Sequence, residues 1–417
     1  MKKLLLGLLT LSALCASGAT SPVWAGSPYL KPPVSKIHDT GGVDVSRSIG
    51  SDGSVTAVAI TSDTENGAVV IYSNEGDKYT VPFDPGNVHP ANREVNLTLA
   101  LKSQGLSAVA VDPRTHSVYA AGETFNGTDY DCLIKKYNQE GKQIWSITHD
   151  FHQSGHDFCS DIAVDGNGDV IVGGAVSNRL SEIYMAKLAK FGANGNFLTS
   201  NNMDDENCGP TTPCQSQIIK ISVGDDGRIV ALVKREMLFW WIGIWNTNLQ
   251  KMPGGVANYN VKISPLFSAQ DLAVDADGNF YVVGWGTVVE DGYRKMSHTL
   301  MRFDKTSNVT CHDSQLFGSH STYHDWNDGW NGVTVTNNGH AYVTGSDQQD
   351  IIVMEYDAAC APQWNDSAGT IDPLLYDGGG VDIGNDIAID SNGDLHITGQ
   401  GGPSNNTHAL TLKYSHL

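Results

Sequence analysis

The stretch DIAVDGNGDVIVGGAVSNRLSEIYMAKLAKFGANGNFL, Asp161 to Leu198, decides the fold. It opens on a short apolar run (Ile162–Val164), turns through Asp165-Gly-Asn-Gly-Asp169, and resumes in Val170–Val172 before Gly173-Gly174. Glycine beside Asp or Asn between two such runs is hairpin chemistry, because glycine takes positive φ without steric cost and the polar side chains bond the turn's own backbone. A third run ends on the aromatic Phe191, a second turn follows, and Phe197–Ser200 reads as a fourth strand. Helical periodicity is almost absent.

The same unit returns along the chain. An aromatic followed by a small or polar residue closes the third strand at Tyr72, Tyr137, Phe191, Trp245, Phe303, Tyr356 and Tyr414, at intervals of 53 to 65 residues. Turn glycines keep the same beat at Gly53, Gly168, Gly227, Gly278, Gly339 and Gly393, while Asp112–Ser117 fills the second slot without one. Four short antiparallel strands at such a period are the signature of propeller blades, whose radial repetition leaves few exposed strand edges. The expectation is an all-β, seven-bladed β-propeller of four-stranded antiparallel blades, at about 44–83, 105–148, 158–200, 216–252, 268–311, 329–366 and 384–417. The seventh unit stops after its third strand. The strand-like segment Pro33–His38, within 30–40, is therefore expected to complete it and close the ring between the two termini.

Three units, IAVDGNGDVIVGG (162–174), LAVDADGNFYVVGWG (272–286) and IAIDSNGDLHITG (387–399), resemble the bacterial β-propeller repeat of the SBBP type. That repeat runs as an Ala-Val-Asp strand, a Gly-Asn turn, a Tyr-Val-x-Gly strand and a Lys-Tyr/Phe-Asp strand end. Units one and four depart from it; in unit four, Gly224 stands where others have Asp. The resemblance implies a propeller scaffold and no particular activity.

Met1–Ala25 has Lys2 and Lys3, the apolar run Leu4–Ala16 and small residues before Gly26, which is the pattern of a secretory signal peptide. The expected mature chain, 26–417, is a single exported domain, secreted or periplasmic. The apolar run is too short to span a bilayer, for which about 20 apolar residues are needed. The chain holds 26 basic and 46 acidic residues, a net −20, and losing Lys2 and Lys3 takes it to −22. Such a surface repels phosphate backbones and anionic lipid, which argues against nucleic acid as a partner. Six cysteines remain after Cys15, and an even number in an exported chain points to disulfides. Cys208–Cys214 is the pair easiest to defend; Cys132–Cys159 and Cys311–Cys360 would each join neighbouring repeats.

Function is expected in the long irregular loops of the ring face opposite the glycine turns. Two of them share His-x-x-x-His-Asp: His152 and His156 in one, His320 and His324 in the other. Imidazoles beside carboxylates suit a divalent cation, or general acid–base work on a sugar or ester. Trp326 and Trp330, with Asp325 and Asp328, are candidates for stacking on and bonding a sugar ring. Asp161, Asp271 and Asp386, each four residues before the Asp of the turn, would ring the channel, either binding a cation together or locking blade to blade. The Asp-rich turns have calcium-loop spacing but lack the distant bidentate Glu, and hairpin chemistry alone accounts for them. No nucleophile elbow, phosphate loop or His-Glu-x-x-His occurs. The first reading is a binding or scaffold protein for a carbohydrate or protein partner; the alternative is a metal- or His-dependent polysaccharide lyase or hydrolase sited over the channel.

Overall fold

Turns of one design set the architecture. A computed structural model describes residues 34–38, 44–62, 68–73, 78–82, 105–151, 155–178, 183–202, 215–235, 239–258, 268–290, 293–316, 329–347, 349–364, 373–402 and 408–415. The six turn glycines lie at φ +78° to +88°, and in the slot without glycine His116 takes φ +55°. Asp165, Asp275 and Asp390 each accept, through Oδ1, the amides of the residues two and four further on at 2.8–3.0 Å. The calcium-like spacing of these turns therefore serves their own backbone.

Among the described residues there are 28 strands and no helix. The first, β1 (Val34–His38), precedes seven units. Blade 1 holds β2 (Asp44–Ser51), β3 (Val55–Ser62), β4 (Ala68–Ser73) and β5 (Lys78–Pro82). Blade 2 holds β6 (Leu106–Asp112), β7 (Ser117–Phe125), β8 (Tyr130–Tyr137) and β9 (Gln143–His149). Blade 3 holds β10 (Asp157–Val164), β11 (Val170–Asn178), β12 (Ile183–Phe191) and β13 (Phe197–Asn202). Blade 4 holds β14 (Ser216–Val223), β15 (Ile229–Arg235), β16 (Phe239–Trp245) and β17 (Lys251–Asn258). Blade 5 holds β18 (Ser268–Val274), β19 (Phe280–Glu290), β20 (Tyr293–Phe303) and β21 (Val309–Gln315). Blade 6 holds β22 (Gly329–Val335), β23 (Ala341–Asp347), β24 (Asp350–Tyr356) and β25 (Leu374–Tyr376). Blade 7 holds β26 (Ile383–Ile389), β27 (Leu395–Gly401), β28 (His408–Tyr414) and, as its outer strand, β1.

Every innermost strand carries a one-residue bulge at the same place, as between Cys159 and Asp161 or between Ala269 and Asp271. The bulge pushes a carbonyl toward the second strand, and in five of the seven blades the facing residue is a glycine. A Cβ on Gly174 would collide with the Phe158 carbonyl oxygen, and one on Gly345 with that of Gly329. This is the physical content of the glycine in the Tyr-Val-x-Gly run. Blades 1 and 4 put Ile60 and Val233 in that position and are the two units whose sequences depart from the pattern.

The apolar core lies between blades as much as within them. One cluster joins residues of blades 2 and 3, including Tyr119, Cys159, Ile162 and Phe191, and another joins blades 5, 6 and 7. The seven third-strand aromatics fill these wedges; none is more than 6% exposed. Two disulfides cross the same seams: Cys132 on β8 to Cys159 on β10, and Cys311 on β21 to Cys360 in the turn after β24. Cys208 and Cys214 lie outside the described residues.

Ring closure is antiparallel pairing of Val34–His38 with Ala409–Lys413. A chain beginning after His38 leaves blade 7 three-stranded and is expected to melt roughly 3–5 °C lower, since losing a paired strand costs about 3 kcal/mol and each 1 kcal/mol is worth about 1–1.5 °C in a chain of nearly 400 residues. An unchanged melting temperature would mean that β1 contributes nothing to closure.

Candidate functional site

Two sites use the geometry of this ring. The first lies in the channel. The residue after each bulge is Ser48, Ala108, Asp161, Lys220, Asp271, Gly332 and Asp386 in blades 1 to 7. The three aspartates each accept an amide from the inner strand of the next blade: Asp161 from Ile221 at 2.7 Å, Asp271 from Val333 at 2.8 Å, and Asp386 from Ile49 at 3.1 Å. Between blades 1 and 2, the Ser48 hydroxyl takes the Val109 amide at 3.3 Å. The aspartates thus lock blade to blade, and the cation they share is a side chain of the protein. Lys220 Nζ lies 3.6 Å from both Asp271 Oδ1 and Asp386 Oδ2.

Charge in this channel is finely placed. Burial pushes the Asp161 carboxyl up to about 6 even though Lys220 and two backbone amides pull it down. Burial also raises Asp271, again against the pull of Lys220, with Asp386 adding repulsion. Burial alone would strip Lys220 of its proton, but Asp271, Asp386 and Asp161 outweigh it and raise its pKa. The lysine is a fixed cation, and burial holds the Asp161 and Asp271 carboxyls above the usual carboxylate range.

The second site lies where blades 2 and 3 meet on the loop face. The β7–β8 loop is organised by Asn126. Its Oδ1 accepts the amides of Thr128 and Asp129, and its Nδ2 donates to the Asp129 carboxylate at 2.5 Å and to Asp131 Oδ2 at 3.0 Å. The loop delivers Tyr130 and Asp131 to the start of β8. Cys132 faces His149 across the β8–β9 ladder, so Asp150, one step beyond β9, arrives beside Asp131. Asp157 enters from the start of β10, its Oδ2 accepting the Phe151 amide at 2.5 Å. One carboxylate oxygen from each of Asp131, Asp150 and Asp157 lies within 4.8 Å of the others. Burial raises the Asp131 carboxyl; Asn126 opposes this, and Asp150 and Asp129 add to it.

Aromatic rings surround these carboxylates. Tyr130 packs against Phe125, His156 and Phe158 at centroid distances of 5.3, 5.5 and 6.1 Å. His149 meets Phe151 edge-on at 4.4 Å and stacks on Phe197 of blade 3 at 4.5 Å with 18° between planes. Phe125, Tyr130, His149, Phe151 and His156 are half-buried. Down the same seam Ile144, Phe197 and Leu198 are 53%, 46% and 50% exposed. A second acidic group, Asp350, Asp377 and Asp382, lies at the junction of blades 6 and 7.

Of the residues singled out in the sequence, His156 belongs to the blade 2–3 site, where its Nδ1 accepts the Tyr130 amide at 3.2 Å. Trp330 is fully buried in β22, edge-on to His298 at 4.9 Å and to Tyr356 at 6.4 Å, so it packs the seam of blades 5 and 6. His152, His320, His324, Asp325, Trp326 and Asp328 lie outside the described residues. Sequence reasoning missed Lys220 and Asp131. Lys220 had a signal: it stands four residues before Gly224, in the slot that Asp161, Asp271 and Asp386 fill in their own units.

The fold and these sites define a seven-bladed β-propeller. No protein-family model matches the chain, and no curated protein does. Among solved structures it is similar to a polysaccharide lyase of family PL25, an ulvan lyase bound to -[GlcA(1-4)Rha3S]-, with a TM-score of 0.51 and 8% identity over 90% of this chain and 95% of that one. The β-propeller domain of the trilobed protease from Pyrococcus furiosus gives 0.47 and 13%, covering 90% and 97%. YCF48 bound to D1 peptide gives 0.47 and 11%, covering 94% and 97%. At these identities the likeness to the lyase is one of fold.

Replacing Lys220 by Met leaves buried carboxylates without their cation and is expected to cost about 3–5 kcal/mol near pH 8. Carboxyls whose pKa is raised by folding stabilise the protein below their unfolded values and lose that contribution as pH rises through the folded ones, about 6 for Asp161. Without Lys220 those values climb further. The deficit against the parent protein should therefore shrink between pH 8 and pH 5 in thermal melts; a deficit equal at both pH values would contradict this account.

Proposed function

We propose that the chain is an exported binding protein, built on an SBBP-like propeller repeat, that holds a neutral carbohydrate at the junction of blades 2 and 3 on its loop face. The observation that carries this reading is the row of half-buried rings, Phe125, Tyr130, Phe151 and His149, set beside the Asp131 and Asp150 carboxylates. Aromatic faces cover the apolar faces of sugar rings, and carboxylates accept hydrogen bonds from hydroxyls. The acidic balance of the chain favours a neutral glycan over a polyanionic one.

Export is supported by the leader-like Met1–Ala25 and by two disulfides, which persist in oxidising compartments. Among the described residues no helix is long and apolar enough to cross a membrane. A binding reading needs only the half-buried rings and the carboxylates beside them, and propellers host enzymes and binding proteins alike.

The test is a panel of neutral and anionic polysaccharides followed by thermal shift and calorimetry. A neutral glycan should raise the melting temperature, and Tyr130→Ala should weaken its binding roughly five- to tenfold, the worth of one aromatic face. A Tyr130→Phe control separates loss of the ring from loss of the hydroxyl. No response to any glycan, with capture of a protein at the same face, would favour the protein-partner reading instead.

A further inference from the structure

Three carboxylates converge at the blade 2–3 junction, with one oxygen of each within 4.8 Å of the others. Asp131 and Asp157 are 5% and 0% exposed, and Asp150 is exposed. Asp131 Oδ2 has its donor in Asn126, but Asp131 Oδ1 is buried and has no hydrogen-bond partner. A buried carboxylate oxygen without a donor is costly, and a neighbouring pair of like charges makes it more so. The acidic group at blades 6 and 7 shows the contrast. There the buried member, Asp382, has both oxygens occupied, by the amides of Gly378 at 2.6 Å and Gly402 at 3.1 Å.

We propose that Asp131, Asp150 and Asp157 bind a calcium ion. Three oxygens within 4.8 Å of one another fit around one ion, because two ligands at about 2.4 Å from a calcium centre are separated by at most about 4.8 Å. The donors are all hard oxygens, which suit calcium; magnesium keeps most of its water and is seldom held by a cage of protein carboxylates alone. The site is also held in shape. The Cys132–Cys159 bridge ties the strand after Asp131 to the strand that begins at Asp157, with 5.4 Å between the two Cα atoms. Asp150, exposed just beyond β9, leaves a path from solvent. Lys187 is a cation close by, its ammonium 5.6 Å from the centre of the Phe151 ring. This inference is independent of the carbohydrate reading, since the metal alone tests it.

The experiment is titration of chelator-treated full-length protein with calcium chloride, read by calorimetry and by melting temperature. Saturable binding is expected in or below the range of about 10⁻⁴–10⁻³ M found for extracellular modules. Asp150→Asn changes an exposed side chain and should weaken binding at least about tenfold while leaving the metal-free melt near that of the parent. Asp131→Asn should also abolish the calcium response, and it should raise the melting temperature of the metal-free protein, because it removes a repelling buried charge. A merely structural role for Asp131 predicts a fall instead. Asp350→Asn, at the other acidic group, should keep the calcium response. The proposal is overturned if calcium produces no heat and no shift at about ten times that concentration range, if both Asp131→Asn and Asp150→Asn retain the response, or if Asp350→Asn alone removes it.

Discussion

The ring depends on one backbone irregularity used seven times. Each innermost strand bulges at the same step, and the residue that follows is delivered into the channel, where a carboxylate or hydroxyl can take the amide of the neighbouring blade. In five blades the second strand makes room for the displaced carbonyl with a glycine, as at Gly174 and Gly345, whereas blades 1 and 4 form the same bulge opposite Ile60 and Val233. Local sterics thereby place the polar lock, which ties neighbouring blades at four junctions. The carboxylates it buries require a counterion, and blade 4 supplies one as Lys220.

What was legible in the sequence is what is local. The turn glycines at positive φ, the alternating apolar runs and the third-strand aromatics are each set by a few consecutive residues, and all seven blades follow from them. The Cys132–Cys159 and Cys311–Cys360 pairs were legible because, with Cys208 set against Cys214, each joins neighbouring units. Lys220 was not, because its partners Asp271 and Asp386 belong to blades 5 and 7 and meet it only across the channel. The Asp131 group was hidden for a similar reason: its members come from two strands and the end of a third in two blades, and Asp131 looks in sequence like the polar half of an ordinary alternation, Tyr130-Asp131-Cys132-Leu133. Trp330 shows the opposite case. A tryptophan among Asn and Asp residues looks exposed, yet the strand it opens is the innermost of its blade, where the wedge between blades needs a large apolar ring.

The two sites divide the chemistry of a net-acidic chain. In the channel, acid is neutralised from within and serves cohesion. At the junction of blades 2 and 3, one buried oxygen lacks any donor and the surrounding rings stay half-open to solvent. The seam there is covalently tied and apolar at its back, so a polar constellation can be held at its front without collapsing.

The pairing of β1 with β28 also orders events in time. Val34–His38 leaves the ribosome before any blade exists, yet its partner, Ala409–Lys413, is made last. Blades 1 to 6 are each assembled from contiguous chain and can form in succession, whereas the seventh must wait. Contacts so distant along the chain are entropically the slowest to make. Until then the outer edge of β28 stands open, a period in which the nascent protein is receptive to a chaperone or to the edge of another chain.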